Sequence, residues 1–230
     1  MIPARLSRWP WAALVAAVLL NAALAFENWW PTPAIRPLAQ LAPEFLALWL
    51  ILLLLAGRDG RPAGPISRPA GQHDRRSPRP IRGPVLSVLA AGYLLLVIGR
   101  YVDVTAPALY GRAFSWYWDA PHVPGILAGA IEQARPATLL AVATGLVASL
   151  LLAGGLLRAL IARLAVVAPA ARRSLPARVV TGAAVLLVAA WLAGVPSAGT
   201  WLSAPVLGGW WQEARLAWLA TRPGAMDDAL

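Results

Sequence analysis

Long apolar runs, interrupted by short polar or arginine-rich stretches, dominate this chain of 230 residues. A helix needs about 20 apolar residues to cross a hydrocarbon layer of roughly 30 Å. Five stretches approach or meet that measure: residues 11–26, 38–56, 85–101, 137–157 and 179–195. Backbone polar groups in lipid must be satisfied within each segment, which favours helices. No stretch alternates with the two-residue period of a membrane strand. The pattern predicts an all-α integral membrane protein, a single domain over residues 1–230 built as a five-helix transmembrane bundle.

Composition narrows the chemistry. Apolar residues make up 59% of the chain and charged residues 13%, about half the charged share of a soluble domain. There is no cysteine, which excludes a disulfide-stapled domain and a zinc ribbon. All twenty basic residues are arginine, so no P-loop lysine or Schiff-base lysine exists. With only His73 and His122 as imidazoles, a histidine-rich metal site is excluded. No metal and no cofactor are expected.

Arginine placement sets the expected orientation. The stretch from Arg58 to Arg82 holds seven arginines against Asp59 and Asp74, and Arg158, Arg163, Arg172, Arg173 and Arg178 face no acid in their segment. Residues 28–37 carry only Arg36, and residues 103–136 balance Arg112 and Arg135 with Asp103, Asp119 and Glu132. The positive-inside rule puts the N-terminus and both arginine segments in the cytoplasm and the tail, residues 197–230, outside. In a bacterial cell this is a multi-pass protein of the inner membrane. The alternative for the first run is a cleavable signal peptide ending at Ala23-Leu24-Ala25, which leaves four spans and the same orientation. Residues 57–84, rich in Pro, Gly and Arg, read as a disordered cytoplasmic loop near anionic lipid. No aromatic platform is interleaved there, so nucleic acid is not an expected partner.

Small residues at Ala141, Gly145, Ser149 and Ala153 form a ridge in the fourth run, where another helix of the bundle can approach closely. Eight of the twelve tryptophans fall on segments assigned outside, as interfacial rings do. In the tail, Leu207, Trp210, Trp211, Ala214 and Trp218 fall on one stripe of a helix, with Gln212, Glu213 and Arg215 off it. Such an amphipathic helix lies on the outer leaflet or docks on a partner.

Ionisable groups beside spans are costly and mark candidate sites. Glu44 stands near one end of the second run; Arg100 and Asp103, three apart, share a helical face and can pair. Beyond them come Arg112, Trp116, Trp118, Asp119 and His122. Two readings fit: an outward pocket in which arginines hold an anionic headgroup between aromatics, or an interfacial loop whose Arg and Asp satisfy one another. Ser115, Asp119 and His122 supply triad residue types, but a triad is defined by geometry and not by proximity in sequence. No catalytic residue is assigned.

The stretch Gly99-Arg100-Tyr101-Val102-Asp103-Val104-Thr105-Ala106-Pro107-Ala108-Leu109-Tyr110-Gly111-Arg112, continuing to Tyr117-Trp118-Asp119, resembles the membrane region of bacterial sulfatase-like proteins of the lipoteichoic acid synthase and phosphoglycerol transferase type. The plan of five helices with the N-terminus inside is similar too. The resemblance covers about twenty residues plus topology. In that family a following extracytoplasmic domain of the alkaline phosphatase superfamily, with a threonine or serine nucleophile and divalent metal, acts on phosphate or sulfate esters. None of its nucleophile or metal positions is matched in these 230 residues. What the resemblance implies is a lipid-facing role for Arg100, Asp103, Arg112 and Asp119, and a separate catalytic polypeptide docking near the tryptophan-rich tail.

The expected function is therefore a non-catalytic inner-membrane subunit that anchors, or presents membrane lipid to, a periplasmic sulfatase-like transferase or hydrolase. The alternatives are an integral-membrane enzyme acting on a lipid phosphate, and a small scaffold or transporter subunit. No inverted repeat or matched pair of broken helices supports a transporter.

Overall fold

In a computed structural model, residues 8–58, 81, 83–193, 195 and 201–220 are described. Helix accounts for 79% of them. The chain runs through α1 (Arg8–Ala22), a hairpin of β1 (Phe26–Asn28) and β2 (Ile35–Pro37), α2 (Pro43–Arg58), α3 (Gly83–Tyr110) and the single turn α4 (Trp116–Asp119). A 3-10 turn (Ala120–His122) leads into α5 (Val123–Gln133), followed by α6 (Pro136–Arg173), α7 (Leu175–Leu192) and α8 (Val206–Ala220). Three of these, α3, α6 and α7, are long and apolar enough to cross a membrane; α1 and α2 are shorter apolar helices. Of the Pro-, Gly- and Arg-rich stretch 57–84 expected as a disordered loop, residues 59–80 and 82 lie outside the described residues, while Gly57 and Arg58 end α2 and Gly83 and Pro84 begin α3; residues 196–200 and 221–230 also lie outside.

Each apolar run is helical, but the boundaries move. The first and second runs lose their facing ends, because Asn21 turns the chain. Its amide donates to the Gln40 carbonyl (2.7 Å) and its Oδ1 accepts from Ala42 N (2.8 Å). Residues 26–28 then pair antiparallel with 35–37, in the register Phe26↔Pro37, Glu27↔Arg36 and Asn28↔Ile35. Phe26 is thus the start of a strand rather than the end of a span, and the second helix begins at Pro43 instead of residue 38.

The third run extends through Tyr110, and Gly111 closes it with φ +70, donating its N–H to Pro107 O at 2.9 Å. That left-handed backbone suits glycine, which has no Cβ to clash. The fourth run continues sixteen residues past its expected end, through Arg158 and Arg163 to Arg173. Leu157, Ile161, Leu164 and Ala168 recur at helical spacing along that extension and are buried. At about 1.5 Å per residue α6 is roughly 57 Å long, well beyond one crossing. A one-residue corner then reverses the chain: Ser174 Oγ accepts from Ala177 N (3.3 Å), so α7 starts at Leu175 instead of residue 179.

The core is made by α1, α2, α3 and the C-terminal half of α6, with Leu20, Leu52 and Ile161 fully enclosed. α7 borders it, joined to α2 by Trp49 Nε1 donating to Thr181 Oγ1 (3.3 Å). Among the described residues no helix packs on Ala141, Gly145 or Ser149 of the ridge, contrary to expectation, and only Ala153 at its end is half-buried. Residues 140–152 of α6 are exposed, and among the described residues a Cβ at Gly145 would meet nothing within 4 Å. Burial follows the leucine and isoleucine positions of the other half, which remove more apolar area from solvent than alanines can.

Tyr93, 2% exposed, ties α3 to α1 by donating its hydroxyl to Leu20 O at 2.7 Å. Tyr93→Phe removes this hydrogen bond while keeping the ring. A loss of about 1 kcal/mol in unfolding free energy is expected in detergent.

Candidate functional site

At the hairpin end, the sequence-predicted charges meet in two clusters. The first surrounds Arg100. One turn of α3 places Gly99, Arg100 and Asp103 toward the hairpin and α8. Arg100 is 7% exposed; its Nε and Nη2 donate to Phe26 O at 3.1 and 2.8 Å, and its Nη1 to Ala204 O at 3.4 Å. The guanidinium also lies 5.9 Å from the centre of the Phe26 ring. Asp103, Glu44 and Glu27 stand around it as countercharges. The expected pairing of Arg100 with Asp103 is thus one part of a wider arrangement, in which main-chain carbonyls take the hydrogen bonds.

Glu44, itself buried, accepts from Leu207 N at 3.3 Å through Oε1. A carboxylate there meets an otherwise unpaired N–H in the first turn of α8 and the positive end of that helix. Beside it the segment leading into α8 is held by main chain: Leu41 N donates to Trp201 O (2.9 Å) and Ser203 N to Leu41 O (3.1 Å). Asn28 Nδ2 donates to Thr105 Oγ1 at 3.2 Å, fixing the hairpin to α3. The first cluster therefore binds hairpin, α2, α3 and α8 into one unit.

The second cluster is built on Asp119. Arg112 meets it with two parallel bonds, Nη1 to Oδ2 at 2.9 Å and Nη2 to Oδ1 at 2.5 Å. Asp119 Oδ2 also accepts from Ser115 N at 2.8 Å. The Arg112 bonds above all, then the Ser115 amide, hold the Asp119 carboxyl down at about 2. Ser115 Oγ donates to Glu213 Oε2 on α8 at 2.9 Å. The triad types are consequently engaged elsewhere: the serine hydroxyl serves Glu213, the aspartate serves Arg112 and Ser115 N, and His122 is exposed on the 3-10 turn. Among the described residues, no group of three His, Asp or Glu is placed to hold a metal ion.

An ordinary aspartate ionises near 3.9. With the folded value lower, the clamp's contribution is full above the unfolded pKa and is lost as pH falls through about 2. Hydrogen exchange at the Ser115 amide is expected to accelerate as pH drops from about 4 toward 2, beyond the intrinsic pH trend. Asp119→Asn should remove that excess acceleration.

α8 is helical as expected, but its docked edge differs. Val206 is 1% exposed and the Trp210 ring lies over Gly99, while Glu213 faces α4. Trp210 thus belongs to the edge held by the protein. Leu207, Trp211, Ala214 and Trp218 form a separate exposed stripe, roughly a quarter to a third of a turn away at ~100° per residue. Trp118 is exposed on α4. Trp116 opens α4, and its side chain lies outside the described residues. Gly99, Phe26, Asn28, Ser115 and Glu213 join these clusters without having been singled out as binding residues. Gly99, directly before Arg100, is a local signal, since a glycine on a helix lets another element approach closely. No protein-family model, no curated protein and no solved structure matches this chain.

Proposed function

We propose that this protein is a non-catalytic membrane subunit that anchors a separate extracytoplasmic enzyme of the sulfatase-like, phosphoglycerol transferase type and presents membrane lipid to it. The observation that carries the reading is the internal satisfaction of the hairpin end. Arg100, Glu44, Arg112, Asp119, Ser115 and Glu213 are engaged in bonds within the chain, of which those of Glu44 to Leu207 and Ser115 to Glu213 hold α8, rather than converging on a reacting atom. A rigid ledge with an exposed tryptophan stripe suits a platform. In this reading the stripe rests on the outer leaflet, and Gln212 and Arg215 edge the side offered to the partner.

The test is purification from native membranes in mild detergent, with identification of co-purifying proteins and retained lipids. The expected result is a stoichiometric extracytoplasmic phosphatase- or sulfatase-like partner, lost when α8 is deleted. Recovery of the chain alone, hydrolysing a lipid phosphate, would overturn the reading in favour of an integral-membrane enzyme. Recovery alone and inactive would leave a scaffold. Orientation is checked by reporter fusions after Ala70, Trp118 and Ala225: residue 70 is expected inside, the other two outside.

A further inference from the structure

We infer that α5 is an in-plane helix inserted by its apolar face into the lipid surface at the head of α6, and that its binding depends on apolar insertion rather than on headgroup charge. At ~100° per residue, Val123, Ile126, Leu127, Ala130 and Ile131 fall on one side of α5, with Gly125, Ala128, Gly129 and Glu132 opposite. Among the described residues nothing covers that apolar side: Ile126 is 70% exposed, and Leu127 and Ile131 are 55% exposed. A helix of 11 residues without packing is marginal in water. Something apolar must therefore stabilise it.

Connectivity identifies the occupant. Only Ala134 and Arg135 separate α5 from Pro136, the first residue of α6. The half of α6 that follows, residues 136–157, carries no charge, and its most apolar stretch is wholly unburied. If that half crosses the bilayer, as its length and composition fit, the end of α5 lies within two residues of the membrane boundary. Pro136 in the first turn of α6 and the extended Arg135 before it make the corner that lets the two helices diverge. The charge pattern then decides the kind of lipid recognition. α5 has no arginine, and its one charge, Glu132, sits opposite the apolar side. A helix recruited by anionic lipid carries basic residues on its polar face; α5 lacks them. This inference does not rest on the proposed partner, since it concerns lipid contact alone.

The absence of cysteine makes any introduced cysteine unique. Leu127→Cys, Ile131→Cys, Ala128→Cys and Glu132→Cys, each spin-labelled, are reconstituted as full chains in phosphatidylcholine vesicles. A second set of vesicles adds phosphatidylglycerol. Relaxation by dissolved oxygen reports lipid exposure, and relaxation by a water-soluble nickel chelate reports aqueous exposure. Labels at 127 and 131 are expected to be oxygen-accessible and nickel-protected, labels at 128 and 132 the reverse, and the pattern unchanged by phosphatidylglycerol. Nickel access at all four positions would overturn the inference by placing α5 in water. Protection from both reagents at 127 and 131 would overturn it by showing a protein over that face, whether a partner or a second copy. A pattern that appears only with phosphatidylglycerol would overturn the apolar mode of binding. Because all four sites are exposed, the labelled chains should keep the wild-type thermal transition, which verifies that each variant is folded.

Discussion

Gly99→Leu should detach α8 from α3 and lower stability by about 1–3 kcal/mol, the range for overfilling a packed contact. Even a Cβ at residue 99 would run into the Trp210 ring, and it would lie 2.9 Å from Val206 Cγ1. Neither neighbour can step aside easily. Val206 is 1% exposed at the start of α8, and the Trp210 indole is a rigid plane pressed on the helix. The whole helix must therefore move. Limited proteolysis after reconstitution reads this directly, as rapid cleavage between residues 201 and 220, with a lowered thermal transition beside it. Two controls separate docking from a general effect of changing a glycine or an indole. Gly92, on the same helix, has nothing among the described residues within 4 Å of a Cβ position, so Gly92→Ala should leave proteolysis unchanged. The Trp210 Nε1 is buried without a hydrogen-bond partner among the described residues, so Trp210→Phe loses contact area but no bond and should keep α8 docked. Equal proteolysis of Gly99→Leu and wild type would mean that α8 does not sit on α3 in the membrane.

How much of this could be read from residues alone depended on the range of the forces involved. The long apolar runs became helices because a local property, continuous hydrophobicity over several turns, decides them. Their ends were less legible. Asn21 stops α1 through Gln40 and Ala42, partners about twenty residues away, and the three-residue strands are too short to show a period of two. Arg158 and Arg163 suggested a loop beyond the fourth run. They belong to a helix because they fall off the stripe Leu157, Ile161, Leu164 and Ala168 that the core buries. α5 is not legible in the sequence, since proline and two glycines dilute an amphipathic pattern only eleven residues long. In α8 the apolar residues cover most of the circumference, so periodicity could not tell Trp210, which docks, from Trp211, which is 71% exposed. The candidate charges were found because ionisable residues are rare in so apolar a chain. Their partners were not, because Phe26 O and Ala204 O are main-chain atoms 74 and 104 residues from Arg100.

Arg100→Ala should have the largest effect of any single change at the hairpin end, on the order of 3–5 kcal/mol, as for removing one partner from a buried charged network. The substitution leaves Phe26 O and Ala204 O without their donor. It also removes the cation that attracts Asp103 and Glu44, while Glu27 keeps its ion pair with Arg36. Glu44 is the sharpest of these, being 6% exposed and already committed to the first turn of α8. Arg100→Lys restores the charge but not the planar fork, and one ammonium cannot reproduce the separate reach of Nε and Nη2 to Phe26 and of Nη1 to Ala204. A partial rescue is therefore expected from lysine and almost none from glutamine. The comparison matters for function. If Arg100 chiefly held an anionic lipid headgroup, lysine would preserve much of the binding and alanine would cost lipid retention with little loss of fold. As a tie between hairpin and α8, its loss should instead lower the thermal transition and expose residues 201–220 to protease together. Measuring both in the same reconstituted sample distinguishes the two roles. Retained lipid unchanged with a markedly lowered transition supports the tie; an unchanged transition with lost phospholipid would return Arg100 to the role of headgroup ligand.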